Sequence, residues 1–260
     1  MITGLMITEK NLSRAWAKAF LETMEKGGST RHPSVVTINL TDGEDVEDKA
    51  IRSLLDIELK KFGKNSCLTV ANTIFPTSMW NPNIPNDDVE LYKRYERTWP
   101  GIRKCPANRN GVYFRRLTAY QPKVAENEPL PPAVNQLKSV IDTYAGGNHR
   151  KSALQAAIFD PTRDHSNQRQ KGFPCMQQVA FTPLPNGGLS ITGIYATQLQ
   201  FEKAYGNYLG LYWLGRFMAK HLNMNLRQVV CMAAVLQRSD EQEVKKHLLQ
   251  QFSDELQALL

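Results

Sequence analysis

The chain has 260 residues, 42% hydrophobic and 22% charged, the balance of an ordinary folded globular protein. A total of 32 Lys and Arg against 25 Asp and Glu leaves a net charge of +7, which favours polyanionic partners or phosphorylated substrates. No block of five or more Lys/Arg marks a nucleic-acid-binding tail, no run of about 18 apolar residues could span a membrane, and the first residues show no secretory pattern.

Residues 8–25 predict a helix capped by Thr8, with Leu12, Ala15, Trp16, Ala19 and Phe20 on one face. After His32-Pro33, the β-branched run Ser34–Leu40 predicts a strand, and Glu47–Phe62 a second helix. Cys67–Ile74 reads as a strand. Residues 76–110 hold five prolines and read as a long functional loop, helical at most over Val89–Trp99. Val112–Leu117 reads as a short strand, Pro122–Pro132 as a linker, and Ala133–Tyr144 as an amphipathic helix ended by Gly146-Gly147. Ser152–Phe159 reads as a strand, followed by a polar loop over 162–172. Cys175–Phe181 and Leu189–Ala196 form a hairpin about Asn186-Gly187-Gly188. Leu199–Leu222 is apolar on every side, so it predicts a buried helix. Val229–Leu236 predicts a last strand and Glu241–Leu259 a C-terminal helix. The fold class is α+β: a mixed or antiparallel sheet with one long central buried helix.

The four cysteines, Cys67, Cys105, Cys175 and Cys231, form no CxxC pair and no zinc pattern. They are expected as reduced thiols in a cytoplasmic protein. Cys175 follows a proline at a strand start, beside a loop with Arg163, Arg169 and Lys171. Positive charge there is expected to lower its pKa and make it a nucleophile. The other reading is an inert cysteine packed on a strand.

Between residues 110 and 222 several short runs occur in a telling order. These are Gly111-Val112-Tyr113-Phe114-Arg115-Arg116, Asn135-Gln136-Leu137-Lys138, Arg150-Lys151, Phe159-Asp160-Pro161, Phe173-Pro174-Cys175 and Tyr205-Gly206-Asn207. In order and spacing they resemble the thymidylate synthase and pyrimidine hydroxymethylase superfamily. The resemblance implies a single domain over 1–260 with an irregular Pro-rich insertion at about 76–110. It implies a one-carbon transferase acting at C5 of a pyrimidine nucleotide or nucleoside, with 5,10-methylenetetrahydrofolate as donor, and a homodimer packed sheet to sheet. No nucleic-acid or membrane partner is expected.

Pyrimidine C5 is a poor nucleophile until a thiolate adds at C6, and the resemblance gives that role to Cys175. Asn207, 32 positions on, would read the edge of a uracil-type base, since an amide both donates and accepts. Arg150 and Lys151 would reach across the dimer to a phosphate, Lys151 as a point charge where the family has a second arginine. Tyr113 and Arg116 complete the expected binding set; each also fits a plain core or surface role.

The chain departs from the pattern in several places. The family's Tyr-Gln-Arg-Ser-x-Asp run is here Tyr195-Ala196-Thr197-Gln198-Leu199-Gln200, without the arginine or the aspartate. Met176 stands where a histidine usually follows the cysteine. No His-x-Tyr pair lies near 229–238, and the family's glutamate has no clear counterpart unless Glu90 or Glu96 is recruited. These losses imply a substrate other than simple dUMP. They also keep open a non-catalytic nucleotide-binding or regulatory protein on the same fold.

Overall fold

In the computed structural model, which describes residues 4–25, 29–84, 87–122, 124, 127–147, 149–165 and 173–260, the chain begins with β1 (Leu5–Glu9) and α1 (Leu12–Met24). The cap of α1 is Asn11, whose side chain accepts from the Arg14 N–H at 3.1 Å, so the helix starts later than Thr8. β2 (Thr30–Arg31), β3 (Ser34–Asn39) and α2 (Lys49–Lys61) follow, then α3 (Cys67–Ile74) and the 18-residue α4 (Asp87–Lys104). α5 (Tyr113–Thr118) and α6 (Gln136–Ala145) lead to β4 (Gln155–Ala157) and the short α7 (Pro161–Asp164). β5 (Met176–Leu184) and β6 (Gly188–Leu199) form the hairpin. A π-helical turn over Gln200–Ala204 then runs into α8 (Tyr205–His221), β7 (Asn225–Gln237) and α9 (Gln250–Ala258).

Among the described residues, seven strands form one mixed sheet in the order β1-β3-β7-β6-β5-β4, with β2 paired to β7. β1–β3 and β6–β7 are parallel and the remaining pairs antiparallel. This is an α+β architecture, and α8 packs against β6 and β7 from one side. Every residue from Tyr205 to Leu211 is buried. The described residues contain no helix long and apolar enough to cross a membrane.

Two segments read as strands are helices. In α3, Ser66 caps the helix, and Cys67, Val70, Ala71 and Ile74 form a buried stripe at helical spacing. In α5, Phe114 and Leu117 are buried one turn apart. The Pro-rich 76–110 segment is mostly helix, since α4 continues through Pro100 to Lys104. The strand expected over Ser152–Phe159 shrinks to three residues after a 3-10 turn, and the C-terminal helix starts at Gln250 rather than Glu241. β1 was not expected, because five residues with one buried position carry little pattern.

The contact between α3 and α8 leaves no room for side chains at two glycines. A Cβ on Gly206 would sit 2.5 Å from Val70 Cβ, and one on Gly210 would sit 2.8 Å from the Ala71 carbonyl oxygen. Gly210→Ala is therefore expected to overpack this contact by about 1–3 kcal/mol, read as a lower urea midpoint. An unchanged midpoint would mean that the helices separate without cost.

Candidate functional site

A cavity of about 270 Å³ lies where the end of β6, the start of α8, α3, α5 and the segment before β5 converge. Its wall carries Tyr113, Cys175, Lys203 and Asn207, with Thr69 and Thr73 from α3. The volume stands near the lower edge of ligand clefts, about 300–1,000 Å³. Cys175 also borders a wider recess of about 940 Å³, lined by Ser29, Arg109, Thr197, Gln237, Asp240 and Gln242 among others.

Three of the residues singled out by sequence meet here. Cys175 precedes β5 directly, and its carbonyl accepts from the Ala196 N–H at 2.9 Å, which ties it to β6. Tyr113 opens α5. Its hydroxyl accepts from the backbone N–H groups of Cys175 at 3.3 Å and Met176 at 3.4 Å. Asn207 lies in the first turn of α8 and is 5% exposed, yet among the described residues its amide has no hydrogen-bond partner. The amide borders the cavity and is free to pair with a molecule there.

Cys175 is exposed to solvent and lines the cavity. Burial pushes the Cys175 thiol above its ordinary range, against the lowering pull of the Lys203 ammonium and of the Tyr113 hydroxyl, which can donate to a thiolate. The net direction is upward and not the depression expected of a basic loop. Arg163 is paired with Asp160 at 3.5 Å, while Arg169 and Lys171 lie outside the described residues. The cation beside the sulfur is Lys203, from the π-helical turn. It lies four residues before Asn207 on the same approach to α8, a spacing that the sequence displayed and that the reading of residues 199–222 as uniform helix concealed.

Arg116 belongs to the frame and not to the cavity wall. It is 7% exposed, and its guanidinium forms a two-pronged ion pair with Asp164 at 3.0 and 3.1 Å and donates to the Ile158 carbonyl at 2.7 Å. It also stacks 5.2 Å over Phe173, a cavity-wall residue. Arg150 and Lys151 are exposed on the 3-10 turn before β4 and line neither cavity of this chain. Glu90 and Glu96 are also elsewhere, paired with Lys93 and Arg115.

The other thiols have different surroundings. Cys67 is buried, with its thiol pushed up, and Cys231, on β7 between β3 and β6, is pushed up to about 12 by burial. Cys105 is exposed and lines neither cavity. The aromatic residues of α4 are turned inward: Tyr95 is buried against Phe114 at 4.7 Å, and Trp99 receives the Arg115 guanidinium at 5.2 Å. Among the described residues, no group of three or more His, Cys, Asp and Glu is placed to hold a metal ion.

No protein-family model matches this chain, and no curated protein matches its sequence.

Tyr113→Phe removes a hydroxyl that lowers the proton affinity of Cys175, so the thiol should move further up. Iodoacetamide labelling of Cys175 at about pH 8 is expected to slow about threefold to tenfold, the range being set by solvent screening of an accessible sulfur. Faster labelling would place the phenol on the side of the neutral thiol.

Proposed function

We propose that the protein transfers a one-carbon unit to C5 of a pyrimidine nucleoside or nucleotide through a covalent adduct on Cys175. The observation that carries this reading is the convergence of Cys175, Tyr113 and an unpartnered Asn207 amide on one ring-sized cavity, from positions far apart in the chain. It rests also on the resemblance of residues 110–222 to thymidylate synthases and pyrimidine hydroxymethylases. Cys175 Sγ adds to ring C6, Asn207 holds the O4/N3 edge, and Tyr113 steadies the backbone that carries the sulfur.

The donor implied is 5,10-methylenetetrahydrofolate, which would supply the carbon as an electrophile. The recess of about 940 Å³ beside Cys175 fits that class of molecule in size, and Asp240 and Gln242 on its wall are groups that pair with an amino-pyrimidinone edge. The raised thiol favours a second reading, a nucleotide-binding protein without turnover on the same fold.

A thermal-shift screen of uracil and cytosine nucleosides, their monophosphates and reduced folates tests the site. A ligand at 100 times its Kd adds about 2.7 kcal/mol. Stabilisation by uracil compounds that weakens in Asn207→Asp, with a gain for cytosine compounds, is the expected result. Stabilisation without any modified product, at every donor tried, would select the binding protein. No stabilisation by any pyrimidine would end both readings.

The proposal includes a homodimer built on the sheet face away from α8. Met6, Val35, Met232, Ile194 and Gln178 lie side by side across five strands, and Thr8, Thr37, Val230, Thr192, Ala180 and Gln155 make a second row across six. Neither row contains a charge, and Met6 is 84% exposed and Met232 41%. An uncharged sheet face of this extent suits burial against a copy of itself. Arg150 and Lys151, just before β4, would then serve the partner's phosphate, as the resemblance implies. Light scattering should give about twice the chain mass for the native protein and one chain mass for Met232→Asp; a monomeric native protein would remove this part of the proposal.

A further inference from the structure

Substitution at pyrimidine C5 must displace the hydrogen already there, so some group has to take that proton. Among the described residues the wall of the 270 Å³ cavity carries no carboxylate and no histidine. Its titratable groups are Cys175, Tyr113 and Lys203. Cys175 is committed to C6. Tyr113 is held as a neutral phenol, its proton affinity raised by burial, with its oxygen already accepting from two backbone N–H groups. Lys203 alone remains, and its ammonium has no hydrogen bond or ion pair among the described residues.

We propose that Lys203 is the general acid–base of this site, delivering protons to ring C5 and removing them. The inference rests on the reading of Cys175 as the C6 nucleophile. Lys203 lies between two spaces. One is the cavity with Cys175 and Tyr113; the other is a recess of about 220 Å³ faced by Lys64, Glu202, Asp240 and Glu243. In that recess Lys64 pairs with Glu243, Glu202 accepts from the Asp240 N–H at 2.8 Å but leaves its other carboxylate oxygen unpartnered, and Asp240 accepts from the Gln242 N–H at 3.2 Å. The Lys203 side chain keeps access to solvent, and partial desolvation by its surroundings, helped by Lys64, lowers its proton affinity from the ordinary lysine value against the raising pull of Glu202 and Cys175. That direction suits an amine that must shed its proton near neutral pH.

The simplest step needs no donor. Cys175 thiolate bonds to C6, the C5–C6 π pair moves onto C5 and O4, and Lys203 gives a proton to C5. The neutral amine then takes the other C5 hydrogen as a proton, the C5–C6 double bond re-forms, and the sulfur leaves with its electron pair. Nothing is oxidised or reduced, and the ring has exchanged one hydrogen with solvent.

The experiment follows loss of the H5 signal by proton NMR in D₂O. The probes are uridine, deoxyuridine, cytidine, deoxycytidine and their 5′-monophosphates, with native protein, Cys175→Ser, Lys203→Gln and Lys203→Arg. The native protein should exchange H5 of at least one probe, and Cys175→Ser should not. Both Lys203 variants should lose about 100-fold or more. Arginine keeps the charge but holds its proton, so Cys175 in Lys203→Arg should still be alkylated within a few-fold of the native rate. Exchange at the native rate in Lys203→Arg would show that only a charge is needed and would overturn the assignment. So would alkylation falling in step with exchange, because Lys203 would then act only on the thiolate. Exchange that persists in Cys175→Ser, or that is absent from the native protein with every probe, would overturn the underlying reading of Cys175 itself.

Discussion

The arrangement depends on a helix whose first two turns have no solvent face. From Tyr205 to Leu211 every residue of α8 is buried, with β6 and β7 on one side and α3 pressed against the glycines at 206 and 210. A helix covered on all sides cannot rotate or slide without opening voids or clashes, because protein interiors are packed to crystal-like density. Asn207 is therefore fixed in register, with its amide facing the cavity, and the π-helical turn before it fixes Lys203. Asn207 is a buried residue and Lys203 an exposed one, and both border the same cavity. An amide and an ammonium that the fold itself leaves unpaired on one wall are available to a ligand, as is usual at binding sites.

The frame around this helix is polar where the chain has to be tied. Arg116, Asp164 and the Ile158 carbonyl lock α5 to the Phe159-Asp160-Pro161 segment, and the guanidinium backs Phe173 two residues before Cys175. On the other flank the Tyr205 hydroxyl donates to Glu47 at 2.9 Å and shares a 2.8 Å hydrogen bond with Ser13, joining the start of α8 to α1 and to the entrance of α2. Both networks lie beside the cavity and not in it. They set where Cys175 and Asn207 stand without touching a ligand.

What the sequence reveals follows from how strongly each element is patterned. The hairpin about Asn186-Gly187, the last long strand and the buried helix are legible, because turn chemistry and an all-round apolar surface have few other solutions. α3 is misread because Leu68, Thr69, Val70 and Ile74 look β-prone when counted, while the decisive fact is the spacing of Cys67, Val70, Ala71 and Ile74. In α5 only Phe114 and Leu117 signal the period, so propensity misleads over so short a stretch. In the site, Cys175, Asn207 and Tyr113 are found because each sits in a run with a recognisable neighbourhood. Arg116 is assigned to ligand because a sequence does not show that Asp164, 48 positions away, will neutralise it. Lys203 escapes notice because it belongs to no run. Its meaning arises only when the turn before α8 places it across from the sulfur.

Burial acts on Cys175 and Lys203 in opposite directions, raising the thiol and lowering the amine, since in each case it disfavours the charged form. The two proton affinities are thereby drawn toward one another from ordinary values at which the amine holds its proton more tightly. Their mutual attraction works the other way, because thiolate and ammonium each steady the charge of the other. A flat, uncharged ring entering the cavity expels water and strengthens the attraction between the two charges. Under the proposed reaction, it is the ring in the cavity that would tip this pair toward the thiolate.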